Sequence, residues 1–335
     1  MKIEQYPVKI STVARLFNIK RKTLYHWYRN YLSNYKEDIE NKKWHPKQLE
    51  IIDKDTEEIT KGKPLYVFKP DQIGENMSID DKVIGHEVFT ILSNNDTNKI
   101  AMMIESCKSE EISEAISLFG SNLQKVRSIS CDMSAGYLKV CNNQFTEAKI
   151  VIDKFHVMQY VYDAVMNVQS RIKKELLSQL SKSKTKNEED KIILAKLDLL
   201  KHCRHKLTQS IDKWTQSNQE IINQVFENHH ELKIAYNLAQ SFKQWYSIKN
   251  MLNQKIENIN ELDKWYLNVK NSNIQEFIPV VKLIRKHENE IINYFICAHT
   301  NAKAERINGN INRFISNNYG IRDKDFALYR IAQYF

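Results

Sequence analysis

Residues 76–104 read NMSIDDKVIGHEVFTILSNNDTNKIAMMI, and their texture decides the fold class. Short β-branched or apolar runs at Ser78–Asp80, Glu87–Leu92 and Ile100–Ile104 have the length of strands, and turn-forming residues such as Ser93-Asn94-Asn95-Asp96 separate them. A helical segment, Glu110–Phe119, comes next, followed by two more apolar runs at Val126–Cys131 and Lys149–Ile152. Three closely spaced strands, a helix, then strand, helix and strand make a mixed α/β pattern that an open sheet satisfies.

Beyond this core the texture changes. The seven glycines lie at 62, 74, 85, 120, 136, 309 and 320, so 137–308 has none, and its single proline is Pro279. Leu, Ile, Lys, Gln and Glu recur there at three-to-four spacing, which predicts a largely helical region. Residues 181–191, SKSKTKNEEDK, read as a solvated loop within it. On the other side of the core, the span 33–76 holds Pro46, Pro64 and Pro70 and reads as a connecting region with some structure of its own. No internal repeat is visible.

A chain of 335 residues, 42% hydrophobic, has room for two to three domains. It has no run of about 18 apolar residues and no charged-then-apolar leader, so the expectation is a cytoplasmic protein with no membrane span. The five cysteines, at 107, 131, 141, 203 and 297, form no CxxC pair, which argues for reduced thiols against a disulfide framework or a zinc ribbon. His202, Cys203, His205, His229 and His230 have poor spacing for zinc and read as ordinary helix residues. Neither a phosphate-cradling GxxxxGK[ST] loop nor a nucleophile elbow is present, which leaves nucleotide hydrolysis and serine-type catalysis without support.

The net charge is +9, and residues 1–36 carry much of the excess: Lys or Arg at 2, 9, 15, 20, 21, 22, 29 and 36 stand against Glu4 alone. A basic end suggests a polyanionic partner, most simply nucleic acid. Within it, VKISTVARLFNIKRKTLYHWYRNYL at 8–32 places Val13, Leu16 and Phe17 on one apolar helical face and Leu24, Trp27, Tyr28 and Tyr31 on another. Asn18 falls at the turn, where left-handed geometry is tolerated, and Ser11 is a suitable N-cap. That is the spacing of a helix-turn-helix, whose second helix would present Lys20, Arg21, Lys22, Thr23 and His26 to the major groove.

Three acids stand out as candidates for chemistry. Asp80 closes the first expected strand and Asp132 the fourth, and ligands of open α/β sheets gather at the carboxyl ends of strands. Two such acids suit a hard cation such as magnesium, although aspartates also end strands simply by capping turns. Glu305 lies in a helical segment, 301–316, where Ile307, Ile311 and Phe314 form an apolar stripe and Glu305, Asn308, Gly309 and Asn312 a polar one. Gly309 would permit close approach of a phosphodiester backbone.

The motifs CDMSAGY at 131–137, AKIVIDKFHVMQYV at 148–161, TNAKAERINGNINRF at 300–314 and YGIRDKDF at 319–326 occur in an order that resembles one family. They resemble the DDE transposases of bacterial insertion sequences, in the ISL-three group, over roughly 74–335; KWTQSNQ at 213–219, Ala235–Leu238 and LDKWYLNV at 262–269 add to the likeness. The resemblance implies an RNase H-like, retroviral-integrase-like mixed sheet at 74–156 and 298–335. An all-helical insertion would occupy 157–297, preceded by a helix-turn-helix at 1–36 and a connecting region at 37–73. It further implies Asp80, Asp132 and Glu305 as catalytic residues and ligands of two Mg2+ ions, with Mn2+ a substitute. Asp81, adjacent to Asp80, is the alternative first ligand, because only its opposite orientation across a strand separates the two. Asp153 and His156 match an Asp-x-Phe-His-Val motif and take supporting roles, although a structural histidine fits that position as well. Asn308, Asn312 and Arg313 join the DNA-binding set.

The activity implied is cleavage and strand transfer of double-stranded DNA, at element ends and target, by a homodimer or higher oligomer in the bacterial nucleoid. A transposase-derived regulator that binds DNA without catalysis, or a plain RNase H-like nuclease, would carry many of the same features. Two departures mark this chain: no cysteine-rich segment precedes the motifs, and Lys154 stands where the family has arginine, which keeps charge but loses bidentate phosphate geometry.

Overall fold

The computed structural model describes residues 9–52, 59–182, 188–247, 255–297, 302–317 and 323–335, and of residues 52, 182, 255–258, 302–306, 308 and 317 the backbone alone. The chain divides into two compact units, Met1–Val151 with His299–Phe335, and Ile152–Ala298.

In the first unit, helices α1 (Ile10–Leu16) and α2 (Arg21–Trp27) are joined by a turn in which Asn18 has φ +53°, the left-handed geometry expected there. A π-turn at Tyr28–Leu32 and α3 (Tyr35–Glu40) follow. The capping residue of α1 is Lys9, without a side-chain bond, and Ser11 lies inside the helix rather than before it. Neither expected apolar face is fully packed: in the second, Trp27 and Tyr31 are 43% and 69% exposed. Leu16 and Phe17 are 76% and 58% exposed, and Ala14 is the buried residue of α1. The aromatic contacts come from α2 and the π-turn: Tyr25 and Tyr28 meet the Phe326 ring at 5.9 and 5.7 Å, and Arg29 pairs with Asp323 at 2.5 Å.

A mixed sheet of seven strands follows: β1 (Lys47–Ile52), β2 (Ile59–Phe68), β3 (Asn76–Ile84), β4 (Glu87–Asn94), β5 (Lys99–Ile104), β6 (Ser128–Cys131) and β7 (Lys149–Ile152). Their spatial order is β1-β2-β5-β4-β3-β6-β7. The pairs β1/β2, β2/β5, β4/β5 and β3/β4 are antiparallel, and β6 runs parallel to β3. The hairpin between β3 and β4 turns on Gly85 and His86; Gly85 has φ +69°, a value that two-residue hairpins reserve for glycine at this position. β4 runs two residues past the expected Leu92, because Ser93 and Asn94 are buried and pair with Ile100 and Lys99. Asn94 then closes the turn with its side chain, accepting from Asp96 N and Thr97 N at 2.8 and 3.1 Å. The edge hairpin β1/β2 lies in the expected connecting region, and Pro64 sits within β2 opposite Gln48.

Helices cover both faces of the sheet. Ile84, Phe89, Ile91, Ile100 and Met103 form one core with Ile307, Ile311 and Phe314 of α13 (Ala302–Asn317) and Leu328 and Ile331 of α14 (Lys324–Tyr334). Adjacent strand residues face opposite ways, so Thr90 belongs to the other face, where it meets Tyr137 of α5 (Ala135–Gln144). α4 (Ser109–Ser117) packs beside α5 and over β2 and β5. Its first turn carries Glu110 and Glu111, which suits the positive end of the helix dipole.

The second unit holds α6 (Lys154–Lys182), α7 (Glu188–Cys203), α8 (Gln216–Asn228), α9 (His230–Trp245), α10 (Lys255–Ser272), α11 (Ile278–Lys286) and α12 (Glu288–Cys297). The expected loop at 181–191 is shorter among the described residues, since Glu188–Lys191 form the first turn of α7, with three acids at its N-terminus. Arg171 ties the bundle together, its guanidinium bonding Glu276 at 2.7 Å, Glu175 at 3.1 Å and also Glu231. Buried Trp265 donates its indole N–H to the Leu238 carbonyl at 2.9 Å. Among the described residues, no helix is long and apolar enough to cross a membrane.

Candidate acidic site

β3 presents its two aspartates to opposite faces of the sheet. Its parallel register with β6 pairs Met77 with Ile129 and Ser78 with Ser130. Asp80 lies two residues beyond Ser78 and does not close its strand as expected, since β3 runs on to Ile84 in its pairing with β4; Asp132 lies two residues beyond Ser130, just after the end of β6. Across the antiparallel pair Asp80 stands opposite Ile91, on the face that α13 and α14 cover. Both acids are half-buried. Each is oriented by a main-chain donor: Asp81 N reaches Asp80 Oδ1 at 2.8 Å, and Ser134 N reaches Asp132 Oδ1 at 2.8 Å. Lys82 shares the Asp80 face of the strand; burial lowers its amine pKa, and Asp80 works against that shift.

Asp81 pairs in register with Thr90 and turns the other way. Its Oδ1 accepts from the Tyr137 hydroxyl and lies 3.0 Å from Thr90 Oγ1. The residue is exposed as a whole, but its carboxyl end is turned in against two buried hydroxyls. Burial of that end raises its pKa; the hydroxyls of Tyr137 and Thr90 oppose the rise, and the nearby charge of Asp132 adds to it. Tyr137 is pushed well above the usual tyrosine range, first by burial and then by the Asp81 carboxylate, so it is a proton donor at ordinary pH. Thr90 and Tyr137 were not among the sequence candidates. Ser134, three residues before Tyr137, caps α5 by accepting the Tyr137 N–H at 3.2 Å.

Of the remaining candidates, Glu305 and Asn308 lie on α13, but their side chains fall outside the described residues. Gly309, Asn312 and Arg313 are exposed on the same helix, and a Cβ at Gly309 would meet nothing within 4 Å. Lys20, Arg21, Lys22 and His26 are exposed at the start and along α2, with Thr23 half-buried. Asp153 and His156 belong to the second unit and come together there, with His156 Nε2 3.7 Å from Asp153 Oδ2. Asp153 also accepts the Phe155 N–H at 2.8 Å at the start of α6. Lys154 donates to the carbonyl of Tyr246 at 2.5 Å, at the carboxyl end of α9, where a cation suits the helix dipole.

The set-aside histidines do not gather around Cys203, which is buried and bonded to Gln169 and the Leu200 carbonyl, while His202 and His205 are exposed. Among the described residues, no group of three or more His, Cys, Asp or Glu side chains is set to hold a metal ion.

A mixed sheet with one acid on β3 and another just after the parallel strand β6, preceded in the chain by a pair of short helices with exposed basic residues, is in keeping with a protein that works on DNA. The sequence profile that matches the chain is that of a transposase, over residues 77–331. The chain belongs to that family, the DDE transposases of the ISL-three group. No curated protein and no solved structure gives a significant match.

Proposed function

We propose that the chain cuts DNA at the ends of an insertion sequence and joins the freed 3′ ends to target DNA, by metal-dependent phosphoryl transfer at Asp80, Asp132 and Glu305. The observation that supports this reading is the parallel β3/β6 register, in which Asp80 and Asp132 each lie two residues beyond the paired Ser78 and Ser130. An RNase H-like core is supported by the five successive strands β5-β4-β3-β6-β7, with β4 antiparallel to both its neighbours and β6 parallel to β3. In this reading the family's catalytic domain is 74–156 with 298–335, interrupted by a helical insertion at 157–297. Residues 1–36 would be the DNA-binding module and 37–73 the connection, which contributes β1 and β2 to the sheet edge.

Asp80 and Asp132 are oxygen donors of the kind magnesium prefers, and manganese would substitute. Asp80, Asp132 and Glu305 would hold divalent ions there, which when bound would supply an activated water and charge neutralisation at the phosphoryl group. The protein's own part is to hold the acids in place. The N–H groups of Asp81 and Ser134 fix Asp80 and Asp132, and Glu305 completes the set from α13. Lys20, Arg21, Lys22, Thr23 and His26 contact element-end DNA, where cations supply affinity and salt dependence. Asn308, Asn312 and Arg313 follow the DNA backbone along α13, and two copies bring two ends together.

The test is cleavage of element-end DNA in magnesium. Asp80→Asn, Asp132→Asn and Glu305→Gln are each expected to abolish cleavage while retaining the DNA in a gel shift. Full cleavage by any one of them removes that residue from the site.

A further inference from the structure

Tyr137 is bonded to both acidic elements at once. Its hydroxyl donates to Asp81 Oδ1 on β3, beside Asp80. Its main-chain N–H donates to Ser134 Oγ at 3.2 Å, and Ser134 in turn donates its own N–H to Asp132 Oδ1 at 2.8 Å. Thr90 braces the hydroxyl end: its Oγ1 lies 2.9 Å from the Tyr137 oxygen, 3.0 Å from Asp81 Oδ1 and 2.6 Å from the Ser106 carbonyl. A threonine has one hydroxyl proton, so Tyr137 is the steadier donor to Asp81 and Thr90 divides its proton between two acceptors. Tyr137 and Thr90 are both buried, so the network is held by packing as well as by hydrogen bonds.

We propose that Tyr137 is the positioning residue of the acidic site. Its hydroxyl anchors β3 through Asp81 and its main chain anchors the Asp132–Ser134 turn, so this one residue sets the separation between Asp80 and Asp132. Asp81 then works from the back of the strand: with its carboxylate held there, its N–H is aimed at Asp80 Oδ1. The inference rests on Asp80 and Asp132 being the metal ligands. Outer groups that orient metal-binding residues typically cost about 10- to 100-fold in affinity or activity when removed.

The experiment is a titration of the full-length protein with Mn2+ alone, followed by electron paramagnetic resonance of the free ion, alongside cleavage of element-end DNA and a thermal melt. Tyr137→Phe keeps the ring and removes the hydroxyl; it is expected to weaken Mn2+ binding by about 10- to 100-fold, with cleavage partly restored at high Mn2+. Thr90→Val is expected to weaken binding by less, and Thr90→Ser, which keeps the hydroxyl, to recover it. If Tyr137→Phe melts earlier but binds Mn2+ like the wild type, the residue only packs and the proposal is overturned. If Tyr137→Phe does not fold, Thr90→Val decides, and a wild-type Mn2+ affinity overturns the proposal. Asp80→Asn and Asp132→Asn separate the two layers of argument. Wild-type binding and cleavage by both would bring down the functional reading and this inference together. Loss in both, with none in Tyr137→Phe or Thr90→Val, would bring down this inference alone.

Discussion

Asp132 and Asp153 follow neighbouring strands, β6 and β7, and begin with the same turn: each Oδ1 accepts an N–H two residues on, Ser134 in one case and Phe155 in the other, at 2.8 Å. Beyond that turn they part. Asp132 is half-buried, and its charge is felt by another acid, Asp81. Asp153 is 7% exposed, with His156 at 3.7 Å, and its charge helps to raise the pKa of Tyr246 and Tyr294. Identical backbone chemistry therefore serves two purposes. At the end of β6 it holds a half-buried carboxylate whose charge helps to raise the pKa of Asp81. At the end of β7 it seals a carboxylate into the start of a helix of 29 residues.

The largest expected effect tests that contrast directly. Asp132→Asn keeps the turn, since the amide oxygen still accepts the Ser134 N–H, yet it removes a charge that would hold a divalent ion. Several kcal/mol of transition-state stabilisation would be lost, about 10³-fold in cleavage rate, with little change in melting temperature. Asp153→Ala should do the reverse, costing about 0.5–2 kcal/mol of stability as a lost cap while cleavage per folded molecule falls less than tenfold. Denaturant unfolding and single-turnover cleavage on both variants measure this. Equal catalytic losses would erase the distinction and place Asp153 among the reacting groups.

How far the two regions could be read from sequence follows from the range of the forces involved. The strands β3 to β7 were legible because alternation and turn residues act within a few positions. The β1/β2 hairpin was obscured by Pro46, Pro64 and Pro70, which normally argue against a strand but are tolerated near a sheet edge. The apolar stripe in α13 was legible from Ile307, Ile311 and Phe314, whereas Leu16 and Phe17, three and four residues after Val13, also read as one helical face and stay exposed. Periodicity says which residues share a face; it does not say whether anything covers that face. The acids show the same limit. Asp80 and Asp81 are adjacent in sequence, and only the pairing of Ser78 with Ser130 and of Asp81 with Thr90 tells which face each takes. Tyr137 meets Asp81 across 56 residues, a contact that no local pattern encodes.

A smaller effect sharpens the sealed side of the comparison. The Tyr246 ring stacks on Trp245 with centroids 5.0 Å apart, and its hydroxyl is buried with no hydrogen-bond partner among the described residues. An unpaired buried hydroxyl destabilises the fold, so Tyr246→Phe, which keeps the ring, should be neutral or stabilising by up to about 1 kcal/mol in urea unfolding. A loss of more than that would mean the hydroxyl is paired, and the Asp153 neighbourhood would then be a polar network rather than a packed seal.

The smallest effect lies one residue further along. Lys154 donates to the Tyr246 carbonyl and lies over the Tyr246 and Tyr294 rings, at 5.1 and 5.5 Å from their centroids. Burial, and then the charge of Lys243, lower its pKa below the usual lysine value of 10.5. A lysine whose folded pKa is depressed favours folding in its neutral form, so the associated stability is fully present above the unfolded pKa and is lost as pH falls through the folded one. Between that lowered value and 10.5, wild type should therefore gain stability with rising pH relative to Lys154→Met, in which the titrating amine is gone. Melting temperatures of the two proteins, compared across this window, read the difference while cancelling the titration of every other group. Parallel curves would mean that the carbonyl and the two rings offset the desolvation of the amine. Lys154 would then be a fully satisfied helix cap, and the start of α6 would be sealed with no electrostatic cost.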